Sequence, residues 1–178
     1  MPKRKDKAPG RDLKPLMLSN KHNWLTPPDF FNPIRDAFNI ELDPCTTADN
    51  PLGTKYFITA ESNSLTKDWL FNAFCNPPFN MVKEFTSKCM RESAHQKITV
   101  VEIMANRTET AAVQTYGPYA KAFCLINKRI SFIDPDKAEQ KMSPTFGSML
   151  LIFKPDPLTI AQLEVLQSFG LTLSHYKL

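Results

Sequence analysis

The sequence predicts an α/β fold, a single Rossmann-like domain in which helices cover both faces of a mostly parallel central sheet. Three observations predict it. Short apolar runs rich in β-branched and aromatic residues alternate with stretches whose apolar residues recur at helical spacing, the pattern of strands joined by helical crossovers. A chain of 178 residues has the size of one domain and can bury a core without metal or disulfide staples. Its 42% hydrophobic and 22% charged residues are ordinary for a globular protein and exclude a disordered chain.

Residues 1–21 form a basic arm, with Pro2, Pro9, Gly10 and Pro15 among charges and no packed element expected. They hold seven of the 22 Lys and Arg against Asp6 and Asp12, a charge of +5. The remaining 15 basic and 16 acidic side chains leave −1 for residues 22–178, the folded domain. The arm either touches phosphate or is a solvated leader, and any basic surface on the domain must come from local clustering. No apolar run reaches the roughly 18 residues of a membrane span, and none follows the basic N-terminus as a signal sequence would require, so the expected location is cytoplasmic. Cys45, Cys75, Cys89 and Cys124 form no C-x-x-C pair, which predicts reduced thiols and no metal site.

Thr26-Pro27-Pro28-Asp29 reads as a helix start, with a capping hydroxyl and prolines in the first turn. Phe30, Phe31, Ile34, Ala37 and Phe38 follow at helical spacing up to about Asn39. Residues 40–45 read as a short buried strand that Pro44 stops, with Asp43 at its carboxyl end. The turn-rich stretch 46–72 gives little beyond a short strand at 56–58. A second apolar strand covers 71–75, a rigid turn 76–80 and a helix 81–93 with Val82, Phe85 and Cys89 on one face. Residues 98–104 are the strongest strand signal, and 106–110 open another helix. Further strands are expected at 122–126, 129–133 and 147–153, a polar loop at 134–144 and a last helix at 158–169. In such a sandwich ligands bind beyond the carboxyl ends of the strands.

Asn76-Pro77-Pro78-Phe79 stands at such an end. The amino nitrogen of a nucleobase is a poor nucleophile because its lone pair is delocalised into the ring. A side-chain oxygen at Asn76 and the backbone carbonyl of Pro77 can each accept one amino hydrogen and localise that lone pair. Two prolines hold the backbone that aims the acceptors. Phe79 supplies a face on which a base flipped out of a duplex can stack. Methyl transfer from a sulfonium then needs proximity and alignment, not a metal. The same motif serves cytosine amines, RNA bases and glutamine side chains, so alone it does not choose the substrate.

Over residues 23–153 the chain resembles the phage-type Dam family of DNA N6-adenine methyltransferases. The matching blocks run in order. Trp24-Leu25-Thr26-Pro27 resembles a W-x-T-P entry, Leu42-Asp43-Pro44-Cys45 an L-D-P-C segment, Asp68-Trp69 the pair before the catalytic strand, and Phe74-Cys75-Asn76-Pro77-Pro78-Phe79 the core. Downstream, Asn106-Arg107-Thr108-Glu109-Thr110 and Lys128-Arg129-Ile130-Ser131-Phe132 are similar to later segments. The resemblance implies an S-adenosylmethionine-dependent methyltransferase fold that methylates the N6 amine of adenine in double-stranded DNA and is encoded by a phage or prophage. It implies Asn76, Pro77, Pro78 and Phe79 as catalytic residues. Trp24, Thr26, Asp43, Pro44, Cys45 and Asn76 would line the cofactor site, and Arg107, Lys128 and Arg129 are candidates for nucleic-acid contact. Read alone, Asp43 is an Asx-turn residue, and Lys128 and Arg129 are equally a solvated strand end. Two departures stand out: Thr46-Thr47-Ala48-Asp49 replaces the glycine-rich turn common in nucleotide-cofactor methyltransferases, and Lys128 replaces a frequent glycine. The alternatives are a methyltransferase of the cytosine N4 amine in DNA and an inactive DNA-binding relative. The recognition sequence and the oligomeric state are not legible.

Overall fold

The computed structural model describes residues 24–134, 137–142 and 144–174. The basic arm, residues 1–21, lies outside the described residues. Helix α1 (Pro28–Phe38) buries Phe30, Phe31, Ile34 and Phe38. Strands β1 (Leu42–Thr46), β2 (Tyr56–Thr59) and β3 (Ala73–Cys75) follow, with short 3-10 turns at Ala60–Ser62 and Ser64–Thr66. After the 3-10 turn Phe79–Met81 come α2 (Val82–Gln96), β4 (Val100–Ala105), α3 (Ala111–Tyr116) and β5 (Ala122–Ile126). The chain continues with β6 (Phe132–Asp134), β7 (Lys137–Met142), β8 (Ser148–Phe153), α4 (Ile160–Phe169) and β9 (Gly170–Ser174).

Seven strands form one sheet in the order β2-β1-β3-β4-β8-β5-β9, and β6 pairs with β7 apart from it. The pairs β2-β1, β1-β3 and β3-β4 are parallel, whereas β8 runs against both β4 and β5, and β9 against β5. Strands β1 to β5 therefore point one way and only β8 and β9 oppose them, the mostly parallel sheet the sequence predicts. Alternation along the strands sends their side chains to two cores. Val101, Ile103, Leu150 and Ile152 pack with Phe31, Ile34 and Phe38 of α1 and Leu166 of α4. Val100, Met104, Met149, Leu151 and Phe153 pack with Phe85 and Cys89 of α2 and Val113 of α3. This is a three-layer α/β/α sandwich.

Several local expectations are corrected. Helix α1 is capped by Pro27 with no side-chain bond, so Thr26 is not its cap. Pro44 does not end β1: the strand continues to Thr46 across a register irregularity between Asp43 and Thr46. A proline lacks only its own N–H, and a bulge absorbs that loss. Residues 106–110 form a turn, and α3 begins after Thr110. The first strand after β5 spans only Phe132–Asp134, and most of the expected polar loop is β7, which pairs antiparallel with it. Its sequence KAEQKM has no apolar alternation to announce a strand. Strand β9 was not expected. Its first residue packs against β5 so closely that a Cβ on Gly170 would overlap the Leu125 carbonyl oxygen.

Candidate active site

Because β1, β2 and β3 are parallel neighbours, the segments that follow them emerge at one edge of the sheet. There they enclose a cavity of about 170 Å³. Pro44, Cys45, Thr46 and Thr47 come from the end of β1, Thr59, Ala60, Asn63, Ser64 and Leu65 from the end of β2, and Asn76 and Pro78 from the end of β3. Trp24 and Leu25 cover another side, with Met81 and Phe85. Leu25 is held by a two-way bridge to Ile133 of β6, through backbone bonds of 3.0 and 2.9 Å.

That bridge matters because the Trp24 carbonyl accepts a hydrogen bond of 2.7 Å from Asn76 Nδ2. The second bond of the same nitrogen, 3.1 Å, goes to Thr26 Oγ1. An amide nitrogen has two hydrogens. With both engaged, the orientation of the Asn76 amide is determined, and Oδ1 stays available as an acceptor beside the cavity. Pro77 and Pro78 follow, and Phe79, 38% exposed, stands edge-on to Phe146 with ring centroids 6.0 Å apart.

Asp43 lies behind the cavity wall. Its Oδ1 accepts the backbone N–H of Cys45 at 3.0 Å, an Asx-type turn at the bulge. Burial pushes its carboxyl up to about 7, while the Cys45 N–H pulls the other way. The Thr46 hydroxyl adds a weaker pull on Asp43 without reaching hydrogen-bond geometry, and its Oγ1 is buried with no partner. Cys45 Sγ is 3.6 Å from Cys75 Sγ, and burial raises both thiols above the ordinary cysteine range.

Of the residues expected at a cofactor site, Trp24, Pro44, Cys45 and Asn76 line the cavity. Thr26 and Asp43 act one step back, on Asn76 and on the Cys45 backbone. The wall from Thr59 to Leu65 was missed. It lies in the stretch without periodicity, and Asp68-Trp69 was its only signal. Arg107 is brought to the site, its guanidinium carbon 5.6 Å from the centre of the Phe146 ring. Arg129 donates to the Pro144 carbonyl at 2.8 Å, and so fastens the segment that carries Phe146. Lys128 is exposed. Phe146 falls between the expected polar loop and the strand expected at 147–153, and nothing in the sequence singles it out.

Among the described residues no charged side chain lines the cavity. Among the described residues no group of three or more His, Cys, Asp or Glu is placed to hold a metal ion, and no helix is long and apolar enough to cross a membrane.

A Rossmann-like sheet with an Asn-Pro-Pro-Phe turn at the carboxyl edge of a parallel strand, beside a cavity, defines a methyltransferase of amino groups. Residues 15–168 match the family model described as DNA N-6-adenine-methyltransferase (Dam). The chain is similar to the DNA N-6-adenine-methyltransferase of Haemophilus phage HP1, with 32% identity over 142 residues, 77% of this chain and 81% of that protein. The chain belongs to the Dam family and is a DNA methyltransferase of the adenine N6 amine.

Proposed function

We propose that the chain transfers the methyl group of S-adenosylmethionine, held in the cavity between β1, β2 and β3, to adenine in double-stranded DNA, with Asn76 as the residue that activates the amine. The observation that carries this reading is the pair of hydrogen bonds that Asn76 Nδ2 donates to Trp24 O and Thr26 Oγ1. It presents Oδ1, rather than the NH2 group, to an incoming amine.

The lining fits the cofactor. It offers apolar and aromatic surface for a nucleoside from Trp24, Leu65, Met81 and Phe85, and among the described residues it carries no lysine or arginine to repel a sulfonium. Thr46 Oγ1, buried without a partner, is the kind of polar atom a ligand satisfies. When bound, the cofactor supplies an electrophilic methyl group on sulfur. Trp24, Pro44 and Cys45 would hold it, with Asp43 fixing the Cys45 backbone and Thr26 fixing Asn76.

Asn76 Oδ1 and the Pro77 carbonyl would accept the two amino hydrogens of adenine and so localise the nitrogen lone pair. Pro78 limits the backbone so that the acceptors need no reorganisation. Phe79 stacks on the extruded base. Arg107, and with it Lys128 and Arg129 from the neighbouring loop, would contact phosphate and set the register of the duplex.

The test is incubation with labelled S-adenosylmethionine and unmethylated duplex DNA, followed by digestion to nucleosides and mass spectrometry. N6-methyladenine is expected. N4-methylcytosine would overturn the choice of base, and absence of any methylated nucleoside would overturn the reading.

A further inference from the structure

The cavity wall supplied by residues 63–65 is fastened from behind by a buried polar relay. Trp69 is fully buried. Its Nε1 donates to two atoms of Ser64, the carbonyl oxygen at 3.2 Å and Oγ at 3.1 Å. Its backbone N–H donates at 2.8 Å to Oε2 of Glu92 on α2. The other oxygen of Glu92 pairs with Lys88 Nζ at 2.6 Å, and both side chains are more than nine-tenths buried. The same ammonium lies 5.9 Å from the centre of the Trp69 ring.

Burying two charges is expensive, and such a pair is poor evidence for stability by itself. Here it sets one backbone N–H and one indole ring, and the indole sets one serine. Ser64 lines the cavity and is itself 5% exposed. A hydroxyl has one hydrogen to donate and lone pairs to accept with. The indole occupies the acceptor side of Ser64 Oγ, which leaves the hydroxyl hydrogen for a ligand oxygen.

We infer that Ser64 is a cofactor-binding residue, donating to an acceptor oxygen of the cofactor, and that Trp69, held by Glu92, is the positioning residue that aims it. The inference rests on the reading that this cavity is the cofactor site. The oxygen belongs to the carboxylate or to a ribose hydroxyl, two sources of the same hydrogen-bonding chemistry.

The experiment measures binding of S-adenosylhomocysteine and of 5′-methylthioadenosine, which lacks the amino-acid moiety, by titration calorimetry to the wild type, Ser64→Ala, Trp69→Phe and the double variant. Trp69→Phe keeps most of the ring and removes the Nε1 donor. Each single variant should weaken S-adenosylhomocysteine binding by roughly tenfold, the size of one hydrogen bond. The double variant should weaken it no further than the weaker-binding single, because one contact is lost through either residue. Equal losses for both ligands assign the contact to the ribose, and a loss confined to S-adenosylhomocysteine assigns it to the carboxylate.

Wild-type affinity in Ser64→Ala overturns the inference while leaving the cavity reading intact. Additive losses, or wild-type affinity in Trp69→Phe, overturn the positioning role. Should Trp69→Phe fail to fold, as read by circular dichroism, Ser64→Ala alone decides the contact, and the paired change Lys88→Met with Glu92→Leu, which removes the acceptor of the Trp69 N–H without leaving a buried charge unpaired, takes its place in the double-variant comparison. A wild type that binds neither ligand overturns the cavity reading itself.

Discussion

Asn76 Nδ2 lies 3.1 Å from Thr26 Oγ1, a hydrogen bond across 50 residues of sequence. It joins the entry segment before α1 to the turn after β3. Thr26 is 3% exposed, so water does not readily replace the hydroxyl if it is removed. The residue that resembles a helix cap instead orients the Asn76 amide.

Thr26→Val, which keeps the shape and removes the acceptor, should therefore lower turnover by about tenfold, as expected when one of two bonds positioning a reacting group is lost. Thr26→Ser should stay near wild type. Asn76→Ala removes the acceptor itself and should cost about 10²–10³ in turnover, the usual scale for losing a preorganised polar partner of the reacting atoms. Single-turnover assays on protein shown to be folded by circular dichroism check all three. Unchanged turnover in Thr26→Val would sink the positioning role.

The parts of the site that lie next to each other in sequence were the legible ones. The strand 98–104, the turn 76–80 and helix α1 each carry a local pattern that tertiary packing reinforces, so the sandwich and the sheet edge where the Asn76 turn meets the cavity could be read from the chain. The bonds that orient Asn76 were not, because nothing local at Thr26 distinguishes a cap from a partner 50 residues away. Likewise Thr59, Ala60 and Asn63 sit in a stretch without periodicity, where Thr59 pairs with Thr46 of β1 and Trp69 fastens the neighbouring Ser64. Strand β7 has no apolar alternation in its sequence to announce it, and it pairs with β6, outside the main sheet. Asp43 joins both readings: it is the Asx-turn residue its local sequence suggests and, through Cys45, a support of the cavity wall.

Glu102 makes a pH prediction. It sits on β4 facing α2, where Oε1 accepts from the Thr86 hydroxyl at 2.9 Å and Oε2 is buried without a partner. Burial raises its carboxyl from 4.5 to about 8. For an acid raised in this way the folded protein keeps the proton while the unfolded chain loses it. Glu102 thus leaves stability unaffected below about pH 4 and erodes it between the unfolded and folded values, up to about pH 8. Asp43 acts with the same sign up to about pH 7. Glu102→Gln, which cannot ionise, should match wild type near pH 4 and gain on it as pH rises, by on the order of 3 kcal/mol at pH 8. Denaturant melts across that range measure the difference. A gap that does not change with pH would contradict it.

Arg107 over the Phe146 ring gives a prediction about DNA. If the guanidinium meets a phosphate, Arg107→Ala should weaken duplex binding and reduce the slope of log affinity against log salt by about one. Phe146→Leu removes the ring that steadies the guanidinium but leaves the charge, so it should weaken binding while keeping most of the slope. Fluorescence anisotropy over a salt series separates the two. An unaltered slope in Arg107→Ala would remove that residue from the phosphate contacts.

The last prediction concerns the edge of the sheet. Strand β9 pairs with β5 over five residues, Ile126 with Gly170 through Ala122 with Ser174. At its start the backbones come so close that only hydrogen fits at the Gly170 α-carbon, where a methyl group would meet the Leu125 carbonyl. Backbone cannot yield as a flexible side chain does, so Gly170→Ala must push β9 away from β5 and should lower stability by about 1–3 kcal/mol, the range for overpacked sites. Leu171, the next residue, is 63% exposed, and Leu171→Ala removes a larger group with little expected effect. The contrast separates backbone approach from side-chain burial. Chemical denaturation of both variants measures it, and a Gly170→Ala protein as stable as wild type would mean that the β5-β9 contact is looser than the structure has it.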